Sequence, residues 1–300
     1  MPASGTATAT WRAYLALTKP RIIELLLVTT IPTMFLAAGG VPPLGAVAAT
    51  LAGGALAAGG ANALNCYLDR DIDAVMQRTM HRPSVTGQVP PANIVWFGTA
   101  LSLAAVALLT IAVNLLAGIL AAVAVIFYVV GYTLILKRRT TQNIVWGGAA
   151  GCMPVLIGWV AVTGSLTWPP VVLFLVVFLW TPPHYWPLSL RYREDYERAG
   201  VPMLPVRVDA AAVAGQILRY SWAMVAASWL LVPVADMSGY YLAASVVLGA
   251  VFLWQAYALK HRVRHGRDPQ PMMLFHYSIS YLALLFLAVG VDPFLRTTGS

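Results

Sequence analysis

The chain has 300 residues, of which 59% are hydrophobic and 10% charged, with a mean hydropathy of +0.74, whereas a soluble domain devotes about a quarter of its residues to charge. This composition excludes a water-soluble globule. The net charge of +8 is then a matter of membrane topology first, and nucleic acid is not an expected partner. The two cysteines, Cys66 and Cys152, form neither a CxxC pair nor an even framework, so they do not report a redox compartment.

Residues 1–11 are small and largely polar and read as a flexible tail. They have neither the basic start of a signal peptide nor the Arg-rich character of a transit peptide. The expected home is therefore a bacterial cytoplasmic (inner) membrane, with the first helix as insertion signal. Apolar runs follow at 22–40, 44–64, 92–112, 115–136, 143–163, 167–190, 210–233, 237–259 and 272–291, each long enough to span the hydrocarbon core. The predicted fold is all-α: one membrane-embedded domain over 1–300, with nine transmembrane helices in a single bundle and catalytic loops on the cytoplasmic side.

Alternate loops differ in charge. Residues 39–43, 114–116, 163–168 and 234–238 carry no Lys or Arg, whereas their counterparts hold 17 of the 19 basic residues. By the positive-inside rule the N-terminus is cytoplasmic and the C-terminus, after nine spans, lies outside. Attraction to anionic lipid accounts for the side taken by the basic residues. It does not account for the acids, since 8 of the 11 Asp and Glu residues fall in the same loops.

The first acidic group, Asn65-Cys-Tyr-Leu-Asp69-Arg-Asp71-Ile-Asp73, continues directly from an apolar run. In a helix Asn65, Asp69 and Asp73 form one stripe about 12 Å long, with Asp71 turned away beside Arg70. Like charges at this spacing destabilise a helix, so a cation is expected. Two readings fit: a divalent metal, with Mg²⁺ suited to one or two carboxylates plus substrate phosphates, or a solvated helix end paired with Arg70 and Arg78. Arg78, Arg82, Lys137 and Arg138 follow in the adjoining loops, and guanidinium forks and ammonium groups suit phosphate oxygens. A metal and cations beside an apolar bundle match a lipid diphosphate.

The sixth run ends in Trp180-Thr-Pro-Pro-His184-Tyr-Trp186 and continues into Tyr192-Arg-Glu194-Asp195-Tyr196, mirroring the first motif and suggesting two related halves. Tyr185, Trp186 and Tyr196 are either interfacial anchors or site residues. His184 is either a packing histidine or a ligand of heme iron.

These residues carry a resemblance that runs from Leu17-Thr-Lys19-Pro20-Arg21 to Ser278-Ile-Ser-Tyr281-Leu. The Asn65-x-x-x-Asp69-x-x-x-Asp73 stripe resembles the metal-diphosphate motif of the UbiA-type intramembrane prenyltransferase superfamily. Tyr132 through Gly148, Pro154, Gly158-Trp159, His184-Tyr-Trp186-Pro-Leu-Ser and Asp195-Tyr196-Glu-Arg-Ala199-Gly200 are similar to its heme O synthase (protoheme IX farnesyltransferase) branch. One departure is that quinone-type members carry two or three spaced aspartates in the second motif, where this chain has Tyr192, Glu194, Asp195 and Tyr196.

The resemblance implies farnesyl diphosphate and heme B as substrates, heme O and diphosphate as products, and heme A synthase as a downstream partner. It implies Mg²⁺ held by Asn65, Asp69 and Asp73, and diphosphate oxygens neutralised by Arg78, Arg82, Lys137 and Arg138. Asp195, Tyr192 and Tyr196 complete the expected catalytic set, and His184 and Trp186 the heme contacts. Competing expectations are an aromatic-acid or quinone-precursor prenyltransferase of the same fold and, from another class, a cation-coupled transporter. Transporter sites lie near the bilayer midplane, whereas the ionisable clusters here gather at one face.

Overall fold

A computed structural model describes residues 7–296, with side chains described outside 7–10, 21–22 and 24–27. Among these residues there are helices and no strands. Of the expected tail, residues 1–6 lie outside the described part, and α1 (Ala7–Thr18) begins within the remainder. After it come α2 (Pro20–Ala38), α3 (Leu44–Leu68), α4 (Arg70–Val75) and α5 (Pro91–Ala112). Helix α6 (Leu115–Ile126) runs through a π-helical segment (Phe127–Leu136) into α7 (Lys137–Arg139). The remainder is α8 (Asn143–Thr163), α9 (Trp168–Arg191), α10 (Arg193–Arg198), α11 (Leu204–Arg207), α12 (Ala210–Val234), α13 (Gly239–Arg264) and α14 (Pro271–Arg296).

Eight helices among the described residues are long and apolar enough to cross a bilayer. The predicted span at 22–40 corresponds to α2, whose described apolar stretch is Val28–Ala38. Prolines open α2, α5, α9 and α14, where a missing N–H costs nothing, and Gly39 and Gly164 close α2 and α8 at positive φ. The helices outrun the hydropathy estimates: α13 continues to Arg264 and α14 to Arg296. Backbone hydrogen bonding does not stop where charge begins, and these ends emerge into the polar interface.

Glycine sets the closest approach in the bundle. A Cβ on Gly53 of α3 would lie 2.5 Å from Leu109 Cγ, and one on Gly60 would lie 2.7 Å from the Gly98 carbonyl oxygen. Helices α3 and α5 therefore meet backbone to backbone, as small residues permit in lipid. Larger side chains fill the other half, where Trp186, Tyr241, Phe252, Tyr281 and Phe286 are fully buried. Trp96, Ile111, Trp168 and Trp254 stand exposed on the outside, as lipid-facing side chains do.

The basic loops meet at one end of the bundle, where Lys19 reaches Asn65, Arg82 reaches Asp73 and Lys137 reaches Asp69. At the other end Asn114 bonds the Val160 carbonyl, Asp292 caps Ser238, and Arg296 ties Asp292 to the Ala235 carbonyl. The separation of charged from uncharged loops read in the sequence is thus a separation of two ends.

Candidate active site

The acidic stripe keeps its predicted register through a break in the helix. Helix α3 ends at Leu68 and α4 starts at Arg70, yet Asp69 N–H donates to Asn65 O at 2.9 Å and Asp73 N–H to Asp69 O at 2.8 Å. Asn65, Asp69 and Asp73 are 3%, 0% and 2% exposed, which removes the reading of a solvated helix end. Arg70 is not their counter-ion. Its Nε donates to the Tyr67 carbonyl at 2.9 Å and its guanidinium lies 4.2 Å from the centre of the Tyr67 ring.

The cations come from elsewhere in the chain. Lys137 Nζ lies 2.5 Å from Asp69 Oδ2, and Arg82 Nη1 lies 2.6 Å from Asp73 Oδ2. Arg138 forks onto Asp71 at 2.7 and 2.8 Å, with a weaker 3.7 Å approach to Asp69. Asp71 therefore points to Arg138 rather than to Arg70, and that fork holds its carboxyl down to about 2. Arg78 is exposed, lies 5.7 Å from the Tyr192 ring centre, and has no carboxylate within ion-pair reach among the described residues. It sits among tyrosine side chains instead.

Sequence reasoning did not assign a role to Lys19 or Thr133. Lys19 Nζ donates to Asn65 Oδ1 at 2.7 Å, and Asn65 Nδ2 donates to Asp69 Oδ2 at 2.7 Å and Thr133 Oγ1 at 3.0 Å. Asn65 thus aligns Asp69. Burial lowers the Lys19 ammonium to about 8. Lys19 also holds φ 53° immediately before Pro20, a strained backbone of the kind that concentrates at functional sites. The signal visible in the sequence was the Lys-Pro pair at the start of a span. Thr133 arrives through the π segment, whose i−5 backbone bonding (Lys137 N–H to Tyr132 O) widens the turn and presents Thr133 and Lys137 to α3, with Thr133 Oγ1 also donating to Tyr128 O at 2.9 Å. Hydropathy does not register a π segment.

The second loop reaches the same place through aromatic residues. Tyr185 and Tyr196 hydroxyls are 2.9 Å apart, with Arg78 beside them. Burial pushes the Tyr196 phenol well up, so it stays neutral. Asp195 is buried but paired with Arg198 in its own turn, and nothing joins it to Asp69 or Asp73. His184 and Trp186 are not drawn into this cluster. His184 stacks between Trp180 and Phe275 at 4.1 and 4.7 Å, with Nδ1 2.6 Å from Ser278 Oγ. Trp186 is fully buried edge-on to Tyr220.

A hard divalent cation fits this donor set. Asp69 Oδ1 is buried without a hydrogen-bond partner, and no group of three or more His, Cys, Asp or Glu residues forms a cage among the described residues. One or two carboxylate oxygens with the rest of the coordination left to water and phosphate is the arrangement Mg²⁺ favours. Below the stripe, an apolar cavity extends into the bundle between α2, α3, α6 and α8, bounded by Thr50, Gly54, Ala58, Asn62, Tyr128 and Gly151. Along α3 the lining of this cavity ends at Asn62, less than one turn before Asn65.

A family model described as the UbiA prenyltransferase family matches residues 26–279. The chain is 60% identical over 280 residues to a protein named protoheme IX farnesyltransferase 1 from Saccharopolyspora erythraea, covering 93% of this chain and 89% of that protein. It is 56% identical over 288 residues to a protoheme IX farnesyltransferase from Streptomyces coelicolor, covering 95% and 91%. Among solved structures it is similar to a UbiA homolog from Archaeoglobus fulgidus bound to DMAPP and Mg²⁺, with a TM-score of 0.64 at 16% identity over 93% of this chain and 99% of that one. A structure described for digeranylgeranylglyceryl phosphate synthase in membranes gives 0.77 at 16% identity, over 95% and 98%. At that identity the likeness is one of fold.

Proposed function

The chain belongs to the UbiA prenyltransferase family, and on that premise we propose that it transfers the farnesyl group of farnesyl diphosphate to a vinyl group of heme B, with addition of water, giving heme O and diphosphate. The geometry supports the donor half, because a buried acidic stripe with its own cations begins less than one turn beyond the lining of an apolar cavity along α3. The acceptor half is supported by relatives at 56–60% identity that are named for that reaction. The acidic stripe and its cations gather at one end, which speaks against a transporter with its site at the midplane.

In this reading Asp69 and Asp73, with Asn65 aligning the former, would hold Mg²⁺, which when bound supplies positive charge to the diphosphate oxygens. Lys137, Arg138 and Arg82 are already placed to shift from carboxylate to diphosphate oxygens, and Arg78, with no carboxylate partner among the described residues, would join them from beside the tyrosines. Cations fixed where charge accumulates lower the barrier to breaking the C1–O bond, because they need little rearrangement as it breaks. The farnesyl tail lies in the cavity along α3. The allylic cation at C1 is shielded from water by the bundle and by the Tyr185, Tyr192 and Tyr196 rings, whose faces also favour positive charge. The heme vinyl group attacks C1, water adds to the carbon that becomes electron-deficient, and its proton leaves to solvent.

His184 and Trp186 are the proposed heme contacts. The basic end faces the cytoplasm of a bacterial inner membrane, with the N-terminus inside and the C-terminus outside, and heme A synthase is the partner that receives the product. The test is an acceptor screen: purified protein in detergent with farnesyl diphosphate and Mg²⁺ is offered heme B, a hydroxybenzoate or a naphthoate, with and without chelator. Chelator-sensitive consumption of heme B alone is expected. Prenylation of an aromatic acid instead would keep the fold and overturn the acceptor.

A further inference from the structure

The glycines of α3 serve two different ends. Gly53, Gly59 and Gly60 touch other helices, so that a Cβ on Gly59 would meet Thr18 at 3.3 Å, while the Gly53 and Gly60 contacts are tighter still. Gly54 is different: a Cβ there would meet nothing within 4 Å, and the same holds for Gly151 on α8. Both residues bound the apolar cavity. The small residues of α3 thus do two things: one face packs and the other leaves space.

The cavity also has a polar marker. Thr50, 2% exposed, lies on its boundary with an Oγ1 that has no hydrogen-bond partner, although a helical threonine usually bonds the carbonyl one turn back. Gly54 is about 16 Å along the α3 axis from Asn65, and Thr50 is about 6 Å further on. The order from the charged end is therefore Asn65, the open space at Gly54 and Gly151, and then the unsatisfied hydroxyl.

We propose that this arrangement sets the length of prenyl chain accepted: the missing side chains of Gly54 and Gly151 make room for the third isoprene unit, and Thr50, the α3 residue on the cavity boundary farthest from the charged end, closes the space to a fourth. The Thr50 hydroxyl is sealed from water before any chain enters, so a longer chain meets a buried side chain and not open space. The inference rests on the donor half of the proposed function and is independent of the acceptor.

Binding therefore tests it. Geranyl, farnesyl and geranylgeranyl diphosphates are titrated calorimetrically into wild-type, Gly54→Leu, Gly151→Leu and Thr50→Ala proteins with Mg²⁺. The two leucine variants should weaken farnesyl relative to geranyl diphosphate by roughly 10-fold or more, because a leucine fills space that a Cβ enters freely. Thr50→Ala should improve geranylgeranyl relative to farnesyl diphosphate. Unchanged ratios overturn the inference, as does equal loss of all three donors by the leucine variants when their unfolding temperature matches wild type. Gly54→Ala should unfold as wild type does, which separates filled space from a damaged fold. Failure of wild-type protein to prenylate heme would sink the acceptor assignment and leave these ratios unaffected.

Discussion

Lys137 Nζ stands 2.5 Å from Asp69 Oδ2, and with that contact the end of one membrane helix neutralises the break in another. Asp69 is fully buried, so removing the lysine leaves a carboxylate without its direct partner, a defect that costs about 3–5 kcal/mol in buried pairs. Lys137→Met should lower the unfolding temperature as well as turnover. Asp69→Asn combined with Lys137→Met should recover much of the stability and none of the activity. Activity in the double variant would show that the pair is only structural.

Arg82 and Arg70 make a contrasting couple within one loop. Arg82 is bonded to buried Asp73, whereas Arg70 lies over the Tyr67 ring. Arg82→Ala should therefore reduce kcat/KM by about 10²–10³-fold, the usual cost of losing one preorganised charge-stabilising donor, and Arg70→Ala by much less. Steady-state kinetics of the two variants decide the point, and equal losses would contradict the assignment.

Gly147 and Gly151 are one turn apart on α8 and differ in what they face. A Cβ on Gly147 would fall 2.2 Å from Cδ2 of the Tyr132 ring, while one on Gly151 meets open space. Gly147→Ala should destabilise by about 1–3 kcal/mol, the range for overpacking, and displace Tyr132 beside the site. Gly151→Ala should leave stability unchanged. Thermal unfolding of both variants in one detergent tests this.

His184 has a tautomer fixed by its neighbour. Ser278 Oγ donates to the Phe275 carbonyl at 2.6 Å, so at its 2.6 Å contact with His184 it accepts from Nδ1–H, leaving Nε2 as the basic nitrogen. If His184 contacts heme iron, Ser278→Ala should weaken heme affinity and alter the heme absorption band, and Ser278→Thr should restore both. A spectrum indifferent to His184→Ala would remove His184 from the heme site.

Much of the fold was legible because a bilayer leaves few choices: a span needs about 20 apolar residues, and the basic loops alternate with uncharged ones. The stripe of Asn65, Asp69 and Asp73 was legible because helical spacing survives the break at Asp69. The counter-ions were not, since Lys137 is 68 residues from Asp69 and Lys19 is 46 from Asn65, and pairing at such distance depends on packing angles that periodicity does not encode. The π segment and the two uses of glycine in α3 were hidden for a related reason. Both depend on what neighbouring helices do, and a glycine letter reads the same whether it faces a neighbour or an empty trough.

The central claim joins acceptor to stripe, and the most direct measurement is the mass of the porphyrin product made from heme B, farnesyl diphosphate and Mg²⁺ by wild-type protein and by Asp69→Asn/Asp73→Asn. Wild type should give heme B increased by a farnesyl group and a hydroxyl group, and the double variant none while it still binds heme. A product formed by the variant at the wild-type rate, or an unmodified porphyrin from a folded wild-type protein that binds both substrates, would contradict the account.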